Sequence, residues 1–456
     1  MGIHEVLADY VVKTGFEDLP ERVVEQAKIC TLDLLGCALG GYKTDVGRMV
    51  VDQMKSFGGK RESTIIGDGA KVPCTQAAFA NAVIADILDF EDTYVGHPAA
   101  TIIPGALAVG ERVGASGRDF ITSIVLGYEV SIRIGVAVQP SAERFEKIWP
   151  MVTWHTYGAS IPAAKLLRLD REGVVRTIEI TGTTAPVPCG KWYTEMPRSY
   201  VKGGWGWGAE SGVLAALLAE KGFHGMPRIL ESERGFWLMC GSDKCDFDFI
   251  TARLGERYEI MNLAFKPHSS CRWTHATLDA VKLIIGEHNV KADEVEEVKV
   301  RTTSHVARAF PDYAPESLVD AEFSIPYTVA VMLLRKKPGP DWFAKKTLTS
   351  KKVLNLASKV KLEADPEADD AYFKQGWKLL SKVTVKTKDG KLYEKTVDCP
   401  KGEPQNPMTA EELKDKFVDI ASGVAGKKRA EKLLETIYKL DRLKNISALT
   451  RLLVCK

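Results

Sequence analysis

The chain has 456 residues, of which 45% are hydrophobic and 27% are charged. This composition fits two or three globular domains with sizeable cores. The formal net charge is only +2, and basic residues form no runs interleaved with aromatic residues, so nucleic acid is not expected as a partner. An anionic substrate would therefore have to meet local cations inside a pocket.

The amino terminus and the cysteines indicate the compartment. The first residues mix acidic with apolar side chains and do not form a signal peptide. The best apolar stretch, Thr101–Gly110, is short and contains Pro104, so no membrane span is expected. Nine cysteines at irregular spacing argue against a disulfide framework and against zinc or iron–sulfur sites. We therefore expect a soluble protein of the reducing cytoplasm.

Residues 1–264 predict an all-helical domain. Apolar residues recur at helical spacing from Glu21 to Leu39, between Pro20 and the Gly40–Gly41 pair. Similar patterns predict four more helices: Thr75–Leu88, Asp119–Val138, Tyr157–Leu169 and Gly212–Lys221. Their many alanines would permit close helix packing.

The pattern changes after Ala264, where residues 265–401 predict a smaller α+β unit. Val295–Thr303 alternates as a strand does, and Val383–Val397 predicts a hairpin that turns at Asp389–Gly390. Helices are predicted over Ile325–Leu334 and Asp370–Leu380. Residues 402–456 return to a charged helical pattern, which we expect to pack against the first domain. The predicted fold is mainly α with an α+β second domain.

His97 is the first candidate for acid/base chemistry. It closes the segment LDFEDTYVGHP, in which Asp89, Glu91 and Asp92 precede it within eight residues. Neighbouring carboxylates can orient an imidazole and raise its pKa, which gives a proton donor or acceptor near neutral pH. The same pattern also fits a loop at the end of a helix with solvated acidic residues.

Two further histidines lie near predicted helix starts. His155 is placed directly before a helix beginning near Tyr157, where the positive helix terminus would favour a neutral imidazole; a buried or capping histidine is the alternative. Lys266, Arg272 and His275 crowd ahead of another helix and could bind carboxylates. A cationic surface turn would explain this second group equally well.

Lys202 precedes a glycine-rich segment, GGWGWGAESG. Its glycines would let the backbone approach a ligand, although the pattern matches neither a Walker loop nor G-x-G-x-x-G. A flexible surface loop is the alternative. The common signatures of zinc proteases, serine hydrolases and thiol redox proteins are missing from the sequence.

Seven segments in order resemble the MmgE/PrpD family along nearly the whole chain. They are the Leu88–Thr93 run with His97-Pro98, Gly127–Ile134, the His155 segment, Gly206–Gly225, the segment from Lys266, Asp320–Tyr327 and Gly402–Phe417. The resemblance implies a large all-helical domain formed by both chain ends (1–264 and 402–456), an α+β lid domain (265–401) and a homodimer. It also implies that the enzyme needs no metal or organic cofactor.

The resemblance also implies site residues. The family's catalytic positions fall on Asp89, Thr93, His97, His155, His275 and Tyr327. Its lysine falls on Lys202, one residue closer to Gly206 than usual. The loop from Thr93 to His97 is shorter than in the family's decarboxylases. These two departures leave the exact substrate open.

The resulting hypothesis is a cofactor-independent acid/base enzyme acting on a small polycarboxylate. His97 and His155 would exchange protons, oriented by Asp89 and Thr93, while Lys202, Lys266 and Arg272 would bind carboxylates. His275 and Tyr327 would close the site from the lid. A 2-methylcitrate dehydratase-like hydro-lyase is the first expectation. An epimerase of an iminodisuccinate-like acid is the second, and a cis-aconitate-type decarboxylase the third. A non-catalytic binding protein is an alternative of another class.

Overall fold

The structure, a computed structural model, describes residues 2–145, 147–190 and 195–455. Helices dominate the part before Ala264. They are α1 Ile3–Lys13, α2 Glu21–Tyr42, α3 Asp45–Phe57, α4 Cys74–Asp86, α5 Ala99–Val113, α6 Gly117–Ala137, α7 Ala142–Phe145, α8 Met151–Leu166, α9 Arg171–Thr184, α10 Trp205–Glu220, α11 Phe236–Met239 and α12 Phe247–Thr251. Two short strands, β1 Ser63–Thr64 and β2 Lys71–Val72, pair between α3 and α4.

The remainder combines a small mixed sheet with helices. The helices are α13 His275–Glu287, α14 Ser304–Ala309, α15 Leu318–Glu322, α16 Ile325–Leu333, α17 Lys345–Leu348, α18 Lys351–Ala357, α19 Pro366–Lys374, α20 Ala410–Ala425, α21 Lys427–Tyr438 and α22 Ser447–Thr450. The strands are β3 Val295–Thr302, β4 Val360–Ala364, β5 Ser381–Thr387 and β6 Leu392–Val397. The sheet order is β4-β3-β5-β6, in which β3 runs parallel to β4 and antiparallel to β5. The predicted fold class, mainly α with an α+β part, is confirmed.

Apolar burial produces two main cores. The first is formed by the helices before Phe265 together with residues of the C-terminal helices, among them Leu413, Phe417 and Leu433. Helices α20 and α21 therefore pack against α2, as the helical pattern of the tail predicts. The second core fills the space between the β3–β6 sheet and its helices, and it also takes in Leu88 and Phe90. The chain just after α4 thus lies where the two cores meet.

The glycine-rich segment is largely buried and is helical from Trp205 onward, so its interpretation as a flexible surface loop is wrong. Helix α10 begins at Trp205, and its glycines are contact points. A Cβ on Gly206 would lie 2.7 Å from Cγ2 of Val83, and one on Gly212 would lie 2.5 Å from the carbonyl oxygen of Thr156. Glycine is needed here because neighbouring helices approach too closely for a side chain.

Two predicted helix positions are also wrong. Helix α8 begins at Met151, so His155 lies inside it rather than before it, because complete burial outweighs the weak helix propensity of Val152 and Thr153. The helix predicted over Asp370–Leu380 spans Pro366–Lys374 instead. It ends there because Gly376 and Trp377 adopt positive φ angles of 79° and 65°, which no helix can continue through.

Helix α6 is the most membrane-like segment that the structure describes. Its length and composition would suffice to cross a membrane. The sequence pattern instead indicated Thr101–Gly110 as the best apolar stretch. However, 94% of its apolar window is buried inside the protein. Core helices of soluble proteins pass the same test, so α6 is only weak evidence for a span.

Candidate active site

The acidic turn, residues 86–92, connects the end of α4 to the loop that carries His97. Leu88 and Phe90 point into the second core, and the carboxylates of Asp86, Asp89 and Glu91 are buried beside them. Asp89 has a φ of 48°, a left-handed conformation that aspartate tolerates better than most residues. Its amide donates to the carbonyl of Asp86 at 2.8 Å. The turn thus collects three carboxylates at the junction of the two cores.

Two buried lysines from distant segments converge on this turn. The Nζ atom of Lys202 lies 3.0 Å from Oδ1 of Asp89 and 3.3 Å from Oδ2 of Asp86. It also lies 3.6 Å from Oε2 of Glu322, at the end of α15. The Nζ atom of Lys266 lies 3.2 Å from Oδ1 of Asp89 and donates to the Asp89 carbonyl at 3.1 Å. Asp89 is therefore held between two ammonium groups.

His97 approaches the same turn from the start of α5. Its Nδ1 contacts Oε1 of Glu91 in a very short hydrogen bond and lies 3.4 Å from Oδ1 of Asp86. Its Nε2 lies 3.6 Å from Oδ1 of Asp89. The His97 side chain is 18% exposed, whereas those of Asp86, Asp89, Glu91 and Lys202 are at most 4% exposed. His97 is thus the part of the cluster that a ligand reaches first.

Burial and charge divide the carboxyl groups of the cluster into two kinds. Burial raises the pKa of both Asp86 and Glu322 well above the usual range, although Lys202 opposes the shift. Burial acts in the same direction on Asp89, but Lys202 and Lys266 outweigh it and lower its pKa. Similarly, the hydrogen-bonded imidazole of His97 outweighs burial and lowers the pKa of Glu91. The cluster therefore favours the ionised form at Asp89 and Glu91 and the protonated form at Asp86 and Glu322.

The imidazole of His97 is poised as a neutral base. Burial and the nearby charge of Lys266 lower its pKa, and Glu91 opposes this shift. With Glu91 ionised, the proton of a neutral imidazole lies on Nδ1, which leaves the lone pair on Nε2. The negative charges of Asp89 and Glu91 are then balanced by the ammonium groups of Lys202 and Lys266. The imidazole can take up one proton at Nε2, with Glu91 stabilising the imidazolium.

His155 and Thr93 shape the loop in front of His97. Nε2 of His155 donates to the carbonyl of Val95 at 3.1 Å, and burial lowers the pKa of this imidazole to about 3. The hydroxyl of Thr93 donates to the carbonyl of Gly96 at 2.8 Å. The indole ring of Trp205 lies between the two histidines, with centroids 5.3 Å from His97 and 5.9 Å from His155. The proton-carrying role of His155 stays a prediction.

A change at Gly96 tests this loop. Gly96 has a φ of 119°, and a Cβ there would lie 3.0 Å from Cδ2 of His155. We expect Gly96→Ala to lower the free energy of unfolding by about 1–3 kcal/mol and to reduce ligand binding, because the loop must move away from His155. Gly376→Ala is the matched control, since its φ is also positive at 79° but nothing surrounds it. Equal losses of stability in both variants, measured by denaturant titration, would contradict the contact.

Asp92 faces away from the site, and we expect it to make the free energy of unfolding depend on pH. It accepts hydrogen bonds from the Ala99 amide at 3.1 Å and from the Tyr128 hydroxyl at 2.7 Å, and burial raises its pKa to about 7. Because the unfolded chain ionises Asp92 at lower pH than the folded protein, its contribution to stability is complete at acid pH and is lost as pH rises towards about 7.

Asp92→Asn should remove this titration while keeping an oxygen that can accept from Ala99. We therefore expect the free energy of unfolding of the variant to fall less than that of the wild type between about pH 4 and pH 7. Parallel curves for the two proteins in denaturant titrations would show that Asp92 does not titrate in this range.

Arg272 and His275 form a network beside the cluster. The guanidinium of Arg272 donates to Oε1 of Glu403 at 2.7 Å and to Nδ1 of His275 at 2.9 Å. Nε2 of His275 donates to the carbonyl of Ser270 at 3.1 Å, and burial together with Arg272 lowers the pKa of this imidazole well below its usual value. Arg272 thus joins the segment after Lys266 to the loop that leads to α20, and His275 accepts one of its hydrogen bonds. Their predicted contact with substrate stays a prediction.

Tyr327 is placed differently from the other predicted residues. It is completely buried in α16 within the second core, and its hydroxyl donates to the carbonyl of Trp342. Among the residues that the structure describes, the cluster therefore brings together Asp89, His97, Lys202 and Lys266. Thr93 and His155 lie directly around it. Arg272 and His275 lie further along the Lys266 segment.

The same carboxylates could also act as metal ligands. Ligand atoms of Asp86, Asp89, Glu91 and His97 lie within 4.8 Å of one another. However, the ammonium groups of Lys202 and Lys266 already lie 3.0–3.3 Å from carboxylate oxygens of Asp86 and Asp89. They supply the positive charge that a cation would otherwise provide to these groups.

Asp86, Glu322 and Trp205 were not singled out from the sequence. Asp86 is the one acidic residue of the apolar helix α4, a pattern that signals a buried carboxylate with a partner. Glu322 lies inside the DAEFSIPY segment, but its contact with Lys202 joins distant parts of the chain. Trp205 is hidden in the glycine-rich segment, which only the structure reveals as a helix.

Comparisons with known proteins identify the family of the chain. Two family models match, the MmgE/PrpD N-terminal domain over residues 5–248 and the MmgE/PrpD C-terminal domain over residues 268–442. A cis-aconitate decarboxylase of Mus musculus is 26% identical over 95% of this chain and 90% of its own length. One of Aspergillus terreus is 25% identical over 100% and 96%. A mitochondrial 2-methylcitrate dehydratase of Yarrowia lipolytica is 24% identical over 94% and 85%. The chain belongs to the MmgE/PrpD family.

Proposed function

We propose that this protein is a lyase that moves a proton at a carbon atom next to a carboxylate of a small polycarboxylate. The observation that carries the proposal is His97, whose Nδ1 is bonded to Glu91 while its Nε2 faces Asp89 between two buried lysines. Proton removal beside a carboxylate needs a base of tuned pKa and positive charge for the enediolate that develops. This cluster provides both.

In the proposed first step, Nε2 of His97 removes the proton. Glu91 stabilises the imidazolium through its hydrogen bond to Nδ1. Lys202 and Lys266 lower the energy of the enediolate because their charges are buried, where electrostatic interactions are stronger than in water. Asp89 holds both ammonium groups in place.

Dehydration is the first candidate reaction because the cluster also contains carboxyl groups that can donate a proton. A departing hydroxyl group must receive a proton, and a carboxyl group with a raised pKa can give one near neutral pH. Asp86 and Glu322 have such raised pKa values and both lie close to Lys202. A 2-methylcitrate-like tricarboxylate would lose water in this way, and its carbon–oxygen bond would break as the carbon–carbon double bond forms.

Decarboxylation is the second candidate. It is favoured by the relatives named cis-aconitate decarboxylase, which align with 95–100% of this chain. The same groups would serve, because loss of carbon dioxide leaves a carbanion that must be stabilised and then protonated.

The experiment is incubation of the purified protein with citrate, 2-methylcitrate and cis-aconitate, followed by proton NMR. Formation of an unsaturated acid from a citrate supports the hydro-lyase, and release of carbon dioxide from cis-aconitate supports the decarboxylase. Binding of these acids in calorimetry without any turnover would overturn the enzymatic proposal in favour of a binding protein.

A further inference from the structure

Helix α20 carries a buried lysine, Lys416, that contacts the acidic turn. The Lys416 side chain is 6% exposed, and its Nζ donates to Oδ1 of Asp33 at 2.6 Å and to the carbonyl of Phe90 at 2.5 Å. The same ammonium lies 4.1 Å from the centroid of the Phe90 ring. The residue thus joins the C-terminal segment, helix α2 and the candidate site.

The carbonyl groups of the turn depend on side chains from distant segments. Lys202 donates to the carbonyl of Asp86, Ser269 to that of Leu88 and Lys266 to that of Asp89. Lys416 completes this set at Phe90 from the side of the first core. A turn held in this way takes its shape from those donors rather than from a helix or a sheet.

The peptide that Lys416 holds is the one that orients the site. Phe90 lies between Asp89 and Glu91, and its own amide donates to Oε2 of Glu91 at 3.0 Å. Rotation of this residue's backbone would therefore turn both carboxylates, one away from the lysines and the other away from His97. Asp33 fixes the Lys416 ammonium at 2.6 Å, and Asp33 is itself only 4% exposed.

We infer that Lys416 and Asp33 are positioning residues for the reaction, which set the orientation of Asp89 and Glu91 through the Phe90 carbonyl. This inference rests on the proposed function, because it concerns the groups that the proposed reaction uses. It assigns the C-terminal segment a part in the site in addition to its packing against α2.

The test separates positioning from stability. Lys416→Met alone leaves the buried carboxylate of Asp33 unpaired and should destabilise the fold. The double variant Asp33→Leu, Lys416→Met removes both charges and should recover most of the melting temperature. We expect its kcat to stay about 10- to 100-fold below wild type, its KM to change less and its pH profile to shift, since the Phe90 carbonyl still lacks its donor. Lys416→Arg keeps a donor and the charge, so its kcat should lie between that of Lys416→Met and that of the wild type.

Lys28→Met is the matched control. Lys28 is also on α2, its side chain is 7% exposed, and it joins Glu25 to Asp441 of the C-terminal segment without entering the turn. It should lower the melting temperature but leave kcat and the pH profile unchanged. A double variant of Asp33 and Lys416 with wild-type kcat and pH profile would overturn the inference.

A readout independent of turnover distinguishes this inference from the proposed function. The imidazole resonances of His97, assigned by their loss in His97→Gln, can be titrated by NMR in the wild type and in the double variant. If the wild type turns over no acid, the proposed function fails, but a shifted His97 titration in the double variant still supports positioning. An unchanged titration would overturn it.

Discussion

Replacing His97 with glutamine is expected to lower kcat by about 10²- to 10⁴-fold, the usual contribution of a general base. Glutamine can still donate a hydrogen bond to Glu91, so this carboxylate keeps a partner and the fold should persist. The variant lacks a group that can take up a proton at the position of Nε2, which lies 3.6 Å from Asp89. The measurement is steady-state kinetics on the acid identified by NMR, with the melting temperature recorded alongside.

His288→Gln serves as the control for this change. His288 lies at the end of α13 with its side chain 40% exposed, next to the ring of Tyr393, and its loss should leave kcat at the wild-type value. If His97→Gln retained more than about a tenth of the wild-type kcat, a loss smaller than general-base removal produces, the assignment of His97 as the base would be wrong.

Replacing Lys202 with methionine is expected to have the largest effect on stability. The Lys202 ammonium lies within 3.6 Å of carboxylate oxygens of Asp86, Asp89 and Glu322. Burial opposes its charge, but these carboxyl groups outweigh burial and raise its pKa well above the usual value. Loss of one partner from a buried charged network costs about 3–5 kcal/mol, so denaturant titration should show a fall of this size, together with loss of turnover.

Two further variants define the cause of this loss. Lys221→Met, at a lysine whose side chain is 78% exposed, should change the free energy of unfolding by less than about 0.5 kcal/mol. Adding Asp86→Asn to the Lys202→Met variant removes a buried carboxyl group that has lost its lysine partner and should recover part of the stability without recovering turnover. A fall of less than about 1 kcal/mol in Lys202→Met, below the range for buried pairs, would show that the cluster is not the buried charge network described above.

Local patterns in the sequence predict much of the fold. The apolar spacing of Glu21–Leu39 becomes helix α2, and the alternation around Asp389–Gly390 becomes the β5–β6 hairpin. The errors have a common physical origin in tertiary packing. The glycines of α10 give the sequence the pattern of a loop, but they are needed for close contact with Val83 and Thr156. Helix α8 begins at Met151 because burial outweighs the weak helix propensity of the residues that follow.

The site was predicted less completely than the fold. Asp89, His97, Lys202 and Lys266 could be found because short motifs surround them, and the structure brings them together. Asp86, Glu322 and Lys416 could not, because each is defined by a partner far away in the chain. A buried carboxylate or lysine is stable only beside a partner. A local sequence pattern cannot show which distant residue that partner is. The pairing of His97 with Glu91 rather than with Asp92 also depends on the shape of the turn.

Solvent exchange tests the central claim most directly, because it follows the proton itself. The wild type and His97→Gln would be incubated in heavy water with the acid that the protein binds, and deuterium at the carbon next to the carboxylate would be followed by NMR. We predict incorporation of deuterium by the wild type and none above background by the variant. Equal rates of incorporation in the two proteins would contradict the role of the His97–Glu91 pair.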